Sequence, residues 1–410
     1  MTFQEKLAAF AELAVKVGVN VQPGQYLLIN TSTDTLEFTR EVVKQAYAAG
    51  AGRVHVNLTD AFVTRAFYEN TTIEEIEMFP KWTVTQREEL IERGGALLWI
   101  DAEDPDLLAD IATEKLAAQQ KASGTALVNY RKAVMNDDIA WSIIAVPSPN
   151  WAAKVFPNLP QSEQVDALWD AIFKTVRIGE EGDAVKAWRN HVDFLESRAK
   201  RLNEMKLVSL HYRAPGTDLT IELPKGHIWL SGASHTPDGT SFIANMPTEE
   251  VFTLPYKYGV NGVVRNTKPL VYQGNIIDGF TLTFENGKIV KAEAEVGQQL
   301  LEQLINIDEG ASYLGEVALV PHESPISQSN ILYYNTLFDE NASNHLAIGE
   351  AYPTCFEGGR NLTENQREEY GINVSVTHED FMIGSAEMDI DGVLETGETV
   401  AIFRKGNWAF

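Results

Sequence analysis

The sequence predicts an α/β protein in two parts: an N-terminal parallel-sheet α/β domain followed by a strand-rich α+β domain. Three observations carry this. In the first half, short apolar runs alternate with stretches of helical period, the pattern of βαβ units with helices on both faces of a sheet. From Ser162 to Met205 the text turns strongly helical. Beyond it, Leu219, Ile221 and Leu223 alternate with polar residues and turn signals multiply (Asn261-Gly262, Asn286-Gly287), a strand texture. The boundary falls in the region 180–206, which gives domains 1–200 and 201–410.

Taken in order, Phe3, Leu7, Phe10, Ala14 and Val17 recur at three- and four-residue steps and form one apolar helix face. Pro23-Gly24 punctuates, and 26–29 reads as a buried strand. An Asn/Thr/Ser/Asp cluster then starts a helix over 36–49. Gly50-Ala51-Gly52 closes that helix; because it follows a helix instead of joining a strand to a helix start, it is a C-terminal turn and not a phosphate cradle. Strands are expected at 53–58, 96–100 and 141–146. Val185, Trp188, Val192, Leu195, Ala199 and Leu202 keep the stagger of a long helix at the boundary.

The chain has 410 residues, 44% of them hydrophobic, with 22% charged and 10% aromatic, which excludes a disordered chain. Its net charge of −25 repels phosphate backbones and anionic lipid, so neither nucleic acid nor a membrane is an expected partner. A single cysteine, Cys355, excludes an internal disulfide framework and suits a reducing compartment. The N-terminal stretch has no basic start with an unbroken apolar run, and no later run is long enough to span a bilayer, so a cytoplasmic protein is expected. There is no P-loop and no G-x-S-x-G elbow; Gly232-Ala233-Ser234-His235 lacks the second glycine. The first domain therefore reads as scaffold, substrate wall or dimer surface.

Chemistry-bearing residues concentrate late in the chain. His322, His345 and His378 stand beside carboxylates, but Ile326 and Met382 occupy the positions where H-E-x-x-H would place its second histidine. Ile372, Val374 and Val376 alternate with polar residues; continued, that strand parity turns His378 and Asp380 to the same side. A carboxylate on an apolar face needs a cation or donors, and a metal is an economical solution. In 339–353, Asn341 or Ser343 is expected to cap a short helix ended by Pro353, on which His345 and Tyr352 share a face about 20° out of register, with Glu340 just before it. Glu316 lies inside the apolar run 315–321, and Glu249-Glu250 sits between a proline turn and an apolar stretch. Asp389-Ile390-Asp391-Gly392 is similar to a calcium loop but lacks its third early acid and closing Glu, and is read as a hairpin turn. Cys355 as a nucleophile is disfavoured, since a lone cytosolic cysteine is usually packing.

Together, 245–252 (NMPTEEVF), 315–320 (GEVALV), 338–352 (FDENASNHLAIGEAY) and 377–380 (THED) resemble the metallo-aminopeptidases of the aminopeptidase T and S type, also called the thermophilic metalloprotease family. The resemblance covers essentially the whole chain. It implies two divalent cations in the second domain (zinc, cobalt or manganese), with ligands Glu250, Glu316, His345, His378 and Asp380. Glu316 would bridge the pair, Glu340 would be a further ligand or the general base, and Tyr352 the phenol beside the reacting carbonyl. Glu250 over Glu249 follows the resemblance, since parity does not decide between them. The reaction implied is metal-dependent release of N-terminal residues from short peptides with a free N-terminus, by a homodimer. A dinuclear amidase or deacetylase, and a noncatalytic metal-containing peptide-binding protein, are the alternatives.

Overall fold

The computed structural model describes residues 1–410 apart from 103, 109, 180–182 and 273–274. By contacts the chain divides into two units: Met1–His191 with Ala233–Pro247, and Val192–Gly232 with Thr248–Phe410. The units part between His191 and Val192, within the helix Ala184–Met205, and a later segment, Ala233–Pro247, returns to the first unit.

The first unit is built on a parallel sheet ordered Asn245–Met246, Trp141–Ala145, Ala96–Asp101, Tyr26–Ser32, Arg53–Thr59. The strand at Tyr26–Ser32 connects first to the 53–59 strand on one side, and the chain then crosses back to the 96–101 strand on the other. The topological switch point thus lies between Tyr26–Ser32 and Ala96–Asp101. Leu27, Ile29, Leu97, Leu98 and Ile100 are buried, as expected of parallel strands covered on both faces. The helix Phe3–Leu13 starts with a capping box, Thr2 and Glu5 exchanging bonds. Phe10 then packs on Phe38, and Phe38 on Trp169, tying this helix to Leu36–Ala48 and Gln161–Thr175. The α/β reading holds.

The second unit holds an eight-stranded antiparallel sheet running Lys288–Glu293, Thr281–Glu285, Val260–Arg265, Thr217–Glu222, Leu207–Ala214, Asp389–Leu394, Thr399–Arg404, Asn407–Trp408. A five-stranded antiparallel sheet runs His378–Met382, His345–Gly349, Leu314–Leu319, Val251–Thr253, Leu230–Ser231. Leu210, Tyr212, Ile221, Val317, Leu346, Phe381 and Ile390 bring both sheets into one core.

Local expectations needed correction here. Asn286-Gly287 is a hairpin turn, but Asn261-Gly262 lies inside the strand Val260–Arg265. Glycine is required there because its φ is +122° and a Cβ would meet Asp218 O at 2.2 Å. Asp389-Ile390-Asp391-Gly392 is no turn either. It runs along a strand paired on both sides, with Asp391 held by Arg213 and by Arg404 Nη2 at 2.5 Å.

Candidate metal centre

The five-stranded sheet assembles the site by register. Its two central strands, Leu314–Leu319 and His345–Gly349, are buried along their whole length, so they read as apolar runs and any polar residue within them is desolvated. Glu316 pairs with Ala347, and Ala347 pairs with Asp380. Residues directly opposite in antiparallel strands share a face, and so do residues two apart along one strand. Glu316, His345, His378 and Asp380 therefore project to the same side, with only the Ala347 methyl between the two carboxylates in their row. Glu250 enters immediately before the strand Val251–Thr253.

Two groups of three donors result, Glu250–Glu316–His345 and Glu316–His378–Asp380, each with one ligand atom per residue within 4.8 Å of the others. His345 Nε2 lies 3.1 Å from Glu250 Oε2 and 3.5 Å from Glu316 Oε1. His378 Nε2 lies 3.8 Å from Glu316 Oε2 and 3.4 Å from Asp380 Oδ1. Each ring donates its Nδ1–H to a backbone carbonyl, His345 to Ser343 at 3.2 Å and His378 to Glu350 at 2.7 Å. Those bonds leave both Nε2 lone pairs facing carboxylate oxygens, an arrangement that calls for something positive between them. Asp380 Oδ1 is buried and, among the described residues, accepts no hydrogen bond of good geometry; His378 Nε2 at 3.4 Å meets it as an ion pair.

The electrostatics agree. Burial, reinforced by the charges of Asp380 and Glu250, pushes the Glu316 carboxyl up to about 7 despite its bond to His345. Burial and the neighbouring carboxylates Glu250 and Asp380 push Glu340 well up. Burial opposes a charge on His378, but Asp380 and Glu316 outweigh it and raise the imidazole to about 10. Burial likewise opposes a charge on His345, yet Glu250 and Glu316 raise it. For Asp380, the two histidines outweigh burial and hold the carboxyl below its usual range. With no cation bound, Glu316, Glu340 and the two imidazoles hold protons more tightly than usual while Asp380 gives its proton up more readily; a divalent ion meets the same charge demand, so the residues fit one.

Glu250 rather than Glu249 faces His345; the Glu249 backbone N–H is instead pinned by Asn341 Oδ1 at 2.8 Å. Glu340 sits on a 3-10 turn over Glu340–Ala342, takes a bond from Asn341 Nδ2 at 3.3 Å, and joins neither donor group. The Tyr352 ring is 4.8 Å from that of His378. Burial and the surrounding carboxylates raise its phenol, which keeps the O–H as a donor. His322 contacts Ser327 Oγ at 3.2 Å and joins neither group. Cys355 is buried and its thiol is pushed up by burial, the state of an inert packing residue.

The expected helix over 341–352 does not form. Asn341, Ser343 and Asn344 are fully buried and cap no helix; Asn344 Oδ1, for instance, accepts the Val320 N–H at 2.8 Å. His345 then opens a strand. The residues 372–377 are not a strand either: Val376 is 78% exposed, and regular pairing starts only at His378.

Residue types alone did not flag the supports of the His378 loop. Arg367 Nη2 donates to Glu350 Oε1 (2.7 Å), Ala351 O (2.9 Å) and Asn373 O (3.2 Å), while Glu350 Oε2 accepts from Ser375 N at 2.7 Å. Asp308 accepts from Ser375 Oγ and Val376 N. Gly349 adopts φ +104° where a Cβ would lie 2.1 Å from Thr377 O, allowing Glu350 to turn back toward this loop.

Buried carboxylates and imidazoles in two overlapping triads, with no thiolate, are the donor chemistry of a metallohydrolase. Comparison with known proteins is specific. A profile described as thermophilic metalloprotease (M29) matches residues 3–408. The chain is 52% identical over 409 residues to aminopeptidase AmpS of Bacillus subtilis (strain 168), covering 100% of both chains. It is 48% identical to aminopeptidase 2 of Geobacillus stearothermophilus, covering 100% of this chain and 98% of that one. The solved structure of wild-type AmpT from Thermus thermophilus superposes with a TM-score of 0.93 at 36% identity, covering 100% of both chains. The chain belongs to the thermophilic metalloprotease family.

Proposed function

We propose that the chain is a metal-dependent aminopeptidase that releases the N-terminal residue of short peptides and works with two divalent cations. Glu250, Glu316 and His345 would hold one cation, and Glu316, His378 and Asp380 the other. The supporting observation is that Glu316 belongs to both groups, turning one oxygen to each histidine. Cations held there supply Lewis acidity, lowering the pKa of a water and offsetting charge on the carbonyl oxygen. The oxygen and nitrogen donors suit zinc, cobalt or manganese without choosing among them.

The chain's own groups divide the remaining work. The Ser343 and Glu350 carbonyls fix the tautomer and aim of the two imidazoles. Glu340, raised by burial and standing outside both groups, is better suited to proton transfer than to ligation: it takes a proton from the attacking water and passes it to the leaving amine. Tyr352, kept as a neutral phenol, donates to the oxyanion.

Peptides with a free N-terminus are the proposed substrates and the cytoplasm the proposed location; among the described residues, no helix is long and apolar enough to cross a membrane. The first unit is proposed as substrate wall and as the surface of a homodimer. Support for the dimer comes from the large apolar side chains Phe62, Val63, Met78 and Trp82, which stay exposed there.

The test assays amino-acid p-nitroanilides and di- and tripeptides before and after EDTA, alongside N-acetylated analogues, with elemental analysis of the purified protein. Activity is expected to vanish on demetallation, to return with zinc, cobalt or manganese, and to spare acetylated substrates, with two ions per chain. Turnover that survives complete demetallation overturns the reading.

A further inference from the structure

The metal centre leaves unexplained a cluster of donors in the first unit. On the strand Tyr26–Ser32, residues Leu28, Asn30 and Ser32 share one face; in register beside them on Ala96–Asp101 lie Leu97 and Trp99. Arg87, from the helix Lys81–Glu92, and Tyr130, from the helix Val128–Met135, pack against this face with Leu28, Leu90 and Leu97.

Arg87 Nη2 donates to Asn30 Oδ1 at 3.0 Å, and Asn57 Nδ2 donates to the same oxygen at 3.0 Å. A guanidinium has no acceptor, so this contact fixes the Asn30 amide with its oxygen on Arg87 and its nitrogen as the remaining donor. Arg87 Nε and Nη1, Asn30 Nδ2, the Tyr130 hydroxyl and Ser32 Oγ are all buried and have no hydrogen-bond partner among the described residues. The guanidinium lies 5.2 Å from the centre of the Tyr130 ring, and Tyr130 is 6% exposed. Arg87 makes no ion pair with a carboxylate of the described residues, and burial pulls its pKa down. Buried polar groups are normally satisfied, and a buried cation normally has a counter-charge. Water can accept from these donors but brings no negative charge.

Position supplies an independent pointer. Asn30 and Ser32 stand at the carboxyl end of their strand, beside the switch point between Tyr26–Ser32 and Ala96–Asp101. Open α/β sheets bind ligands outside the carboxyl ends of their strands at that point.

We propose that the first unit carries a binding site for a small oxyanion, a carboxylate or a phosphate, with Arg87 as its charge partner and Asn30, Ser32 and Tyr130 as neutral donors. The single positive charge favours a monoanion, hence a carboxylate.

The test is calorimetric titration of the full-length protein with sodium acetate and with inorganic phosphate, at ionic strength held constant with sodium chloride. Wild type is compared with Arg87→Met and Tyr130→Phe. Saturable binding to wild type is expected, lost in Arg87→Met and weakened roughly tenfold in Tyr130→Phe, which removes one donor to a charged ligand at nearly constant volume. Acetate alone binding marks a carboxylate site, and phosphate alone a phosphate site. No saturable binding of either anion overturns the proposal. Binding that persists unchanged in both variants also overturns it, by placing the anion elsewhere, the metal centre included. If Arg87→Met does not fold, as judged by circular dichroism, the Tyr130→Phe comparison decides.

Discussion

Glu316 and Tyr352 make opposite demands on a mutation experiment. Glu316→Gln keeps the shape of the side chain but removes the charge shared between two donor groups, so metal content and turnover are both expected to collapse while unfolding stays cooperative. Tyr352→Phe removes one hydroxyl and no ligand, so metal content is expected to stay constant while kcat drops about 10²–10³-fold, the range for losing an oxyanion donor. Metal analysis and steady-state kinetics on both variants separate the roles; full turnover in either one removes that residue from the site. These residues were legible to different depths. The two-residue spacing of His378 and Asp380 correctly placed them on one side, although the strand that does this begins at His378 and the alternation before it is loop. The burial that tunes Glu316 was legible only as an acid in an apolar run, because the neighbouring strands that desolvate it lie far away in sequence.

At the scale of elements, the loop before His378 is held by a partly buried pair, Arg367 and Glu350. Arg367→Met leaves the Glu350 carboxylate and the Ala351 and Asn373 carbonyls without their shared donor. It is expected to cost about 3 kcal/mol in urea unfolding and to weaken metal binding about 10–100-fold in a chelator competition, as losses around ligating histidines do. Unchanged metal affinity would confine the pair to a structural role. Asp391 tests the other sheet. Burial alone would lift its carboxyl, but Arg404 and Arg213 hold it below the usual range. Its stabilisation is therefore present above the unfolded value near 4 and disappears as pH falls through the folded one. Asp391→Asn should be less stable than wild type by about 1–2 kcal/mol at pH 7, discounted because both arginines are nearly half exposed. The gap should close in acid, and a gap independent of pH would exclude the charge as its source. Polar, glycine-containing text around His345 read as a capped helix because Asn and Ser favour N-caps. The structure uses the same hydrogen-bonding capacity to pin buried loops, a choice set by partners distant in sequence.

For the whole molecule, the donors crowd negative charge into a dry face, so the metal-loaded chain should melt well above the EDTA-treated one. At a thousandfold excess over Kd a bound ion contributes about 4 kcal/mol. Calorimetry before and after reloading checks this, and identical Tm values would argue against a bound ion in the native state. The change of texture near residue 200 revealed two differently built halves because it reflects a change from parallel to antiparallel pairing. The return of Ala233–Pro247 to the first unit left no such trace: its strand in that sheet, Asn245–Met246, is two residues long, too short to show a period.

The row Glu316–Ala347–Asp380 makes catalysis hostage to counting. Because side chains alternate between faces, deleting Glu379 alone would set His378 and Asp380 on opposite sides and lose one of them from the site, while the chain kept nearly all its composition and hydrophobic content. Lineages of this enzyme should therefore accept length changes in the loops between these strands and refuse them within the strands.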